Sequence, residues 1–353
     1  MTTEHIIAIL AIVLALGFDF VNGFHDTANA VATVIYTKAL KPQVAIVMSG
    51  VCNFAGAVLV GTAVAKVITK IIPQDKVSLT IVVAVLVGAL IWNLLTWWFG
   101  LPVSSSHCLI GSLFGAGVAA GGIGGVNWSE LHKILIALLV SPVVGFVGGA
   151  VLTWIVLRVS GDKQGVKQQP YMLRWMQVLS SASVSFTHGG NDGQKTMGII
   201  TLILATQFAH MGYSYDHVPL SVMIAAAGAI GIGTMTGGWR VIRTVGTMIT
   251  RDELRYGQGF AAEFSTACTI WGASLIGAPI STTHTLTSAI VGGTIPSYGL
   301  KRLNLRTVKL ILLAWCLTLP VAAFLSASSY AVLQGLMPVA KPSYGIVIIG
   351  SRA

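Results

Sequence analysis

Charge is what this sequence has least of. Lys, Arg, Asp and Glu together make up 9% of its 353 residues, against about 25% in a soluble domain. Acidic residues are the scarcest, with 11 Asp and Glu against 21 Lys and Arg and a formal net charge of +10. A soluble fold with so few charges would expose large apolar patches and aggregate. That excludes a large soluble α/β enzyme with buried strands. Cysteine is also scarce. Cys52, Cys108, Cys268 and Cys316 all lie inside apolar segments and form no Cys-x-x-Cys pair. They read as small apolar residues, which excludes a disulfide framework and a structural zinc site. No platform of interleaved basic and aromatic residues occurs, so the positive charge does not imply nucleic acid as a partner.

Apolar residues fill the space that charge leaves, at 54% of the chain with a mean hydropathy of +0.81. The runs 77–99, 134–157, 218–238 and 308–335 each approach or exceed the ~20 residues that cross a bilayer as a helix. The first run, residues 5–18, has no small-residue cleavage site before the polar cluster after it, and is expected to be a retained helix. Basic residues collect in short connectors: Lys38 and Lys41; Lys66, Lys70 and Lys76; Arg158 to Arg174; Arg240 to Arg255; Lys301 to Lys309. This is the loop pattern of a protein in contact with anionic lipid and biased positive-inside. The expected fold class is an all-α polytopic membrane protein of about 10–12 membrane segments, multi-pass in the inner membrane.

The longest polar stretch, RVSGDKQGVKQQPYMLR from Arg158, divides the chain. Expected are a first transmembrane repeat over 1–157, a connecting loop over 158–175 and a second repeat over 176–353. Two motif pairs support the division. NGFHDTAN at 22–29 matches HGGNDGQK at 188–195, with Asp26 and Asp192 separated by 166 positions. PVSSSH at 102–107 matches PISTTH at 279–284, with His107 and His284 separated by 177. A weaker echo pairs Pro142 with Pro320. Duplicated halves are the usual build of secondary transporters, with the site at the repeat interface near the bilayer midplane. Whether these repeats are inverted depends on the parity of spans between them.

The motifs carry polar residues where a membrane protein should have few. Asp19, Asn22, Asp26, Asn29 and Thr33 fall at helical spacing on one stripe, and Ser185, His188, Asp192 and Lys195 repeat that spacing in the second half. A carboxylate at a helix centre costs about 2.5–3.5 kcal/mol to insert, so these groups need water, a cation or a neighbour. Intramembrane ionisable groups are functional candidates by default. The adjacent Gly23, Gly189, Gly190 and Gly193 are expected to break or loosen their helices. In the second motif Pro102 and Pro279 suit a first helical turn. The amides that follow lack intrahelical acceptors, and Ser104, Ser105, Ser106, Ser281, Thr282 and Thr283 add hydroxyls at the positive end of a helix dipole. That is an anion site, or ordinary helix capping. His25, His107, His188 and His284 lie within the motifs and are read as second-layer or proton-handling groups; no metal ligation is expected from their spacing. Glu263 is either a cation or proton group near the site or a helix-end residue.

These four motifs resemble the inorganic phosphate transporter (PiT) family, and the first copy, GFHDTANAVATVIYT, is most similar to its bacterial low-affinity branch. The resemblance spans nearly the whole chain. It implies inverted repeats with broken helices and re-entrant Ser/Thr hairpins around phosphate and its coupling cation. It also implies a homodimer, no enzymatic activity and no cofactor beyond co-transported H+ or Na+, with a divalent metal carried on the phosphate as one form of the substrate. By resemblance Asp26, Asn29, Asn191, Asp192 and Lys195 join the six Ser/Thr residues as substrate-binding positions, and Asp26, Asp192, Glu263, His25 and His188 serve cation or proton coupling. Sodium-coupled members have Asn where this chain has Lys195, and a second acidic group where it has Asn53. Both departures favour protons. The long hydrophilic insert of many bacterial relatives is replaced by the short stretch Gln207 to His217. The alternatives are a permease for another tetrahedral oxyanion such as sulfate, and an intramembrane enzyme or passive anion channel.

Overall fold

The computed structural model describes residues 3–160 and 171–336. Among the described residues there are twelve α-helices and no strand; one isolated β-bridge joins Thr250 and Leu303. The first half contains α1 (Thr3–Tyr36), α2 (Pro42–Leu59), α3 (Ala63–Ile68), α4 (Leu79–Trp98), α5 (Ser105–Gly121) and α6 (Trp128–Ser160). The second contains α7 (Tyr171–Gln207), α8 (Leu220–Thr236), α9 (Trp239–Arg243), α10 (Tyr256–Leu275), α11 (Thr282–Tyr298) and α12 (Leu305–Leu336). Residues 161–170 of the expected connecting loop lie outside the described residues; α6 and α7 enter the 158–175 range from either side.

Among the described residues six helices are long and apolar enough to cross a membrane: α1, α2, α4, α5 with the turn after it, α6 and α12. A seventh span results if α8 and the segment Trp239–Met248, bent from it by 61°, are taken together. The long helix α7 carries the second polar motif and α10 the buried Gln258 and Glu263, and neither is among these spans. Large side chains such as Leu139, Val143 and Val147 on α6, Leu313 and Phe324 on α12 and Leu179 on α7 point out of the protein. Water would reject so continuous an apolar surface; a bilayer accepts it, because every helix satisfies its own backbone.

Helix ends follow local chemistry. Pro42 opens α2, where its missing N–H costs nothing. Ser78, Ser104 and Ser281 cap α4, α5 and α11, each accepting a backbone N–H three residues on. The helices then pack crosswise between the halves. The helix after the first Ser/Thr motif, α5, lies against α12, while α11 lies against α6. Pro142 and Pro320 both sit inside these outer helices, α6 and α12.

The buried apolar residues form two clusters. One gathers Ala8 to Phe18 of α1 with α4, α5 and the second half of α7; the other gathers Ala28 to Val34 of α1 with α10 and α11. Between them lies a layer of buried polar residues. The expected helix breaks are absent there: α1 runs through Gly23, and α7 through Gly189, Gly190 and Gly193, without interruption. These glycines serve packing instead. A Cβ on Gly23 would strike the Ile230 carbonyl of α8, and one on Gly189 would strike the Asn53 carbonyl of α2. Small residues at such points let membrane helices approach closely.

Candidate functional site

The polar layer is built where the middles of α1 and α7 meet the first turns of α5 and α11. Asp26 and Asp192 are both buried, at 2% and 0% exposure. The Ser105 hydroxyl at the start of α5 reaches both, 3.1 Å from Asp26 Oδ2 and 3.2 Å from Asp192 Oδ2. The Thr283 hydroxyl at the start of α11 lies 3.4 Å from Asp26 Oδ1. Asn29 donates to Thr283 Oγ1 at 2.9 Å and to Thr282 Oγ1 at 3.3 Å. Two helix N-termini, each with free amides and positive dipole ends, therefore converge on two carboxylates.

Lys195 is the fixed positive charge. Its Nζ is 2.6 Å from Asp192 Oδ1 and donates to Ser106 Oγ at 2.5 Å, with 1% of its side chain exposed. Ser106 donates in turn to the Ile280 carbonyl at 2.6 Å, tying the start of α5 to the approach to α11. The two starts are also joined through His107 and His284, whose rings lie 4.3 Å apart; His284 stacks on Trp315 of α12 at 3.8 Å.

The histidines of the first motif pair have distinct places. His25 Nδ1 lies 2.8 Å from Asp26 Oδ1 and its Nε2 lies 3.4 Å from the Thr96 hydroxyl. His188 Nδ1 lies 2.9 Å from Asn53 Oδ1, and the Asn53 amide donates to Thr234 Oγ1 at 2.8 Å. That orients the Asn53 oxygen as acceptor, so His188 carries its proton on Nδ1. Its Nε2 then faces Asp26 Oδ2 at 3.7 Å and Asp192 Oδ2 at 3.6 Å. These three ligand atoms lie within 4.8 Å of one another. Three electron-rich atoms this close call for positive charge between them, a proton or a cation. Sequence spacing predicted no such set, because Asp26 comes from a different helix.

Other predicted residues make contacts away from the two carboxylates. Ser104 and Ser281 cap their helices, accepting from the backbone N–H of His107 and His284 at 3.1 Å. Asn191 faces away from the carboxylates. Its amide donates to Ser274 Oγ and the Ala278 carbonyl, and its oxygen accepts from the Ile280 N–H, so it holds the α10–α11 connection. Glu263, on α10, meets α1 further along that helix, accepting from Thr33 and, at 2.5 Å, from Ser180 of α7. Thr96 has no signal in its local sequence that points to His25, and Asn53 is signalled only by its departure from the acidic group of sodium-coupled members, not by any link to His188. Asn22, which donates to Asp192 Oδ2 at 3.3 Å, was signalled by its place on the polar stripe.

A family profile described as the phosphate transporter family matches residues 22–326. The chain belongs to the phosphate transporter family. The transporter is 44% identical over 333 residues to a probable low-affinity inorganic phosphate transporter of Bacillus subtilis, covering 93% of this chain and 98% of that one. It is 30% identical to the low-affinity inorganic phosphate transporter PitA of Escherichia coli, covering 92% and 96% of the two chains. Its fold matches a solved structure titled "The sodium-dependent phosphate transporter" with a TM-score of 0.82 and 26% identity, over 94% of this chain and all of that one. Membership makes this chain a multi-pass membrane transporter rather than an enzyme.

Proposed function

We propose that this transporter imports inorganic phosphate across the inner membrane by proton symport. One observation carries the reading: the buried site holds two carboxylates, Asp26 and Asp192, against one ammonium, Lys195. The site therefore has a deficit of positive charge before any substrate enters, and phosphate deepens it. An anion enters such a dry site only with compensating cations. His188 Nε2, facing both carboxylates, is suited to take a proton, and His25 supports Asp26. Phosphate oxygens would replace the carboxylates as acceptors for Ser105 and Thr283, and would accept from Ser106, Thr282 and Asn29 and from the free amides of α5 and α11. A phosphate hydroxyl can donate to Asp26 or Asp192, which fully ionised sulfate cannot. The crosswise packing of α5 on α12 and α11 on α6 supports two inverted repeats that move against each other about this site. Glu263 and Thr33 extend the polar path away from it.

A second reading, sodium symport, draws on the same group of Asp26, His188 and Asp192. Labelled phosphate uptake into proteoliposomes separates the two, with proton and sodium gradients imposed separately and with and without a divalent metal. Uptake under the proton gradient alone is expected; uptake under sodium alone overturns proton coupling. A requirement for the metal would identify a metal–phosphate complex as the carried species. Sulfate uptake in place of phosphate would overturn the substrate.

A further inference from the structure

The polar stripe of α1 does not end at the central cluster. Two turns before Asp26, about 10 Å along the helix, stands Asp19. It is fully buried, at 0% exposure, and neither carboxyl oxygen has a hydrogen-bond partner among the described residues. Its neighbours on α1 and α7 are polar: the side chains of Asn22 and Thr196 face the carboxyl, with the charges of Asp192 and Lys195 beyond them. Asn22 Oδ1 and Thr196 Oγ1 are likewise buried without a hydrogen-bond partner. The helices packed on this part of α1 from the other sides, α4 and α8, contain no titratable side chain. On α1 itself the nearest titratable groups are His25 and Asp26.

We infer that Asp19, with Asn22 and Thr196, forms a second proton-binding site coupled to the central cluster. One proton resolves all four orphaned atoms. Bound to one Asp19 oxygen, it donates to Asn22 Oδ1, while the Thr196 hydroxyl donates to the other oxygen. Without it, a fully buried carboxylate stands with neither oxygen hydrogen-bonded. Such a group cannot stay buried and ionised without compensation. The step forms a single O–H bond with a proton taken from water on the side to which the site opens, and nothing is oxidised or reduced. The coupling runs through Asn22. Its side chain lies beside Asp19 while its Nδ2 donates to Asp192 Oδ2 at 3.3 Å. A proton on Asp19 fixes the Asn22 amide and, through it, the orientation of Asp192 towards Lys195 and Ser105.

The inference rests on the proton-symport reading, and the test keeps the two apart. The purified full chain is reconstituted in proteoliposomes as wild type, Asp19→Asn and Asp19→Glu. Two quantities are measured: phosphate accumulation under a proton gradient, and phosphate–phosphate counterflow with no gradient. Asp19→Asn is expected to lose accumulation by about tenfold, the size of a typical coupling between sites, to retain counterflow, and to shift the response of counterflow to pH. Asp19→Glu is expected to restore accumulation. Accumulation by Asp19→Asn equal to wild type overturns the inference while proton symport stands. Loss of both activities in Asp19→Asn and Asp19→Glu alike also overturns it, because Asp19 then serves the fold. A wild-type chain that ignores the proton gradient overturns proton symport itself, and the inference with it.

Discussion

Lys195 is the side chain that most distinguishes this site electrically. Its ammonium lies between Asp192 and Ser106, and truncating one member of a buried ion pair typically costs about 3–5 kcal/mol because the other is left uncompensated. Lys195→Asn should therefore leave a vacancy that a sodium ion can fill. Phosphate uptake by this variant should fall at low sodium and recover as sodium is added, measured at constant pH; unchanged ion dependence would remove Lys195 from a coupling role. Asp26→Asn should abolish uptake with normal insertion into the membrane, read from transport and from the amount of chain in the membrane fraction, since Ser105, Thr283 and His25 lose their shared carboxylate and His188 Nε2 loses one of the two it faces. Hydroxyls in one motif should behave differently. Ser281→Ala removes a cap and should lower stability by about 1 kcal/mol. Thr283→Ala should weaken phosphate binding with little change in stability. A thermal melt in detergent paired with uptake kinetics tests both.

At the level of elements, the site depends on two uninterrupted helices held unusually close to their neighbours. The signature glycines suggested breaks, because glycine weakens a helix in isolation. Tertiary packing reverses that preference: α7 stays helical because α2 covers Gly189, and α1 because α8 covers Gly23. Gly189→Ala should then force α2 and α7 apart and cost about 1–3 kcal/mol, as overpacking does. Gly17→Ala on the same α1 helix meets nothing within 4 Å and should leave the melting temperature unchanged or raise it. Melting curves of the two variants, measured side by side, check the contrast.

On the scale of the whole molecule, the transporter places its polar residues in a seam between two apolar clusters. Along α1 the seam runs from Asp19 through Asn22, Asp26 and Asn29 to Thr33, meeting α7, α5, α11 and α10 in turn. Binding that draws these helices together should stabilise the fold by mass action. Phosphate at a hundred times its dissociation constant should add about 2.7 kcal/mol, seen as a raised melting temperature in detergent. Sulfate at the same concentration should not raise it, and a larger shift with sulfate would favour the other oxyanion.

Several features were legible in the linear chain because they depend on local periodicity or local chemistry. The membrane setting follows from scarce charge and long apolar runs. The Ser/Thr helix starts follow from proline and capping residues at fixed spacing, and the stripe from Asp19 to Thr33 follows from helical periodicity. The motifs themselves sufficed to indicate the transporter family. Tertiary structure decided the rest, because it depends on which helix faces which. Only the crossing of α1 and α7 brings His188 to Asp26 and Asn22 to Asp192. Only the α2 contact supplies Asn53 to orient His188. Only the approach of α10 and α11 to α7 gives Asn191 its partners Ser274, Ala278 and Ile280. Asp19 could be seen in the sequence as one more acid on a stripe; its isolation beside Asn22 and Thr196 exists only where the two helices meet, since a hydrogen bond left unmade is a property of the packed interior.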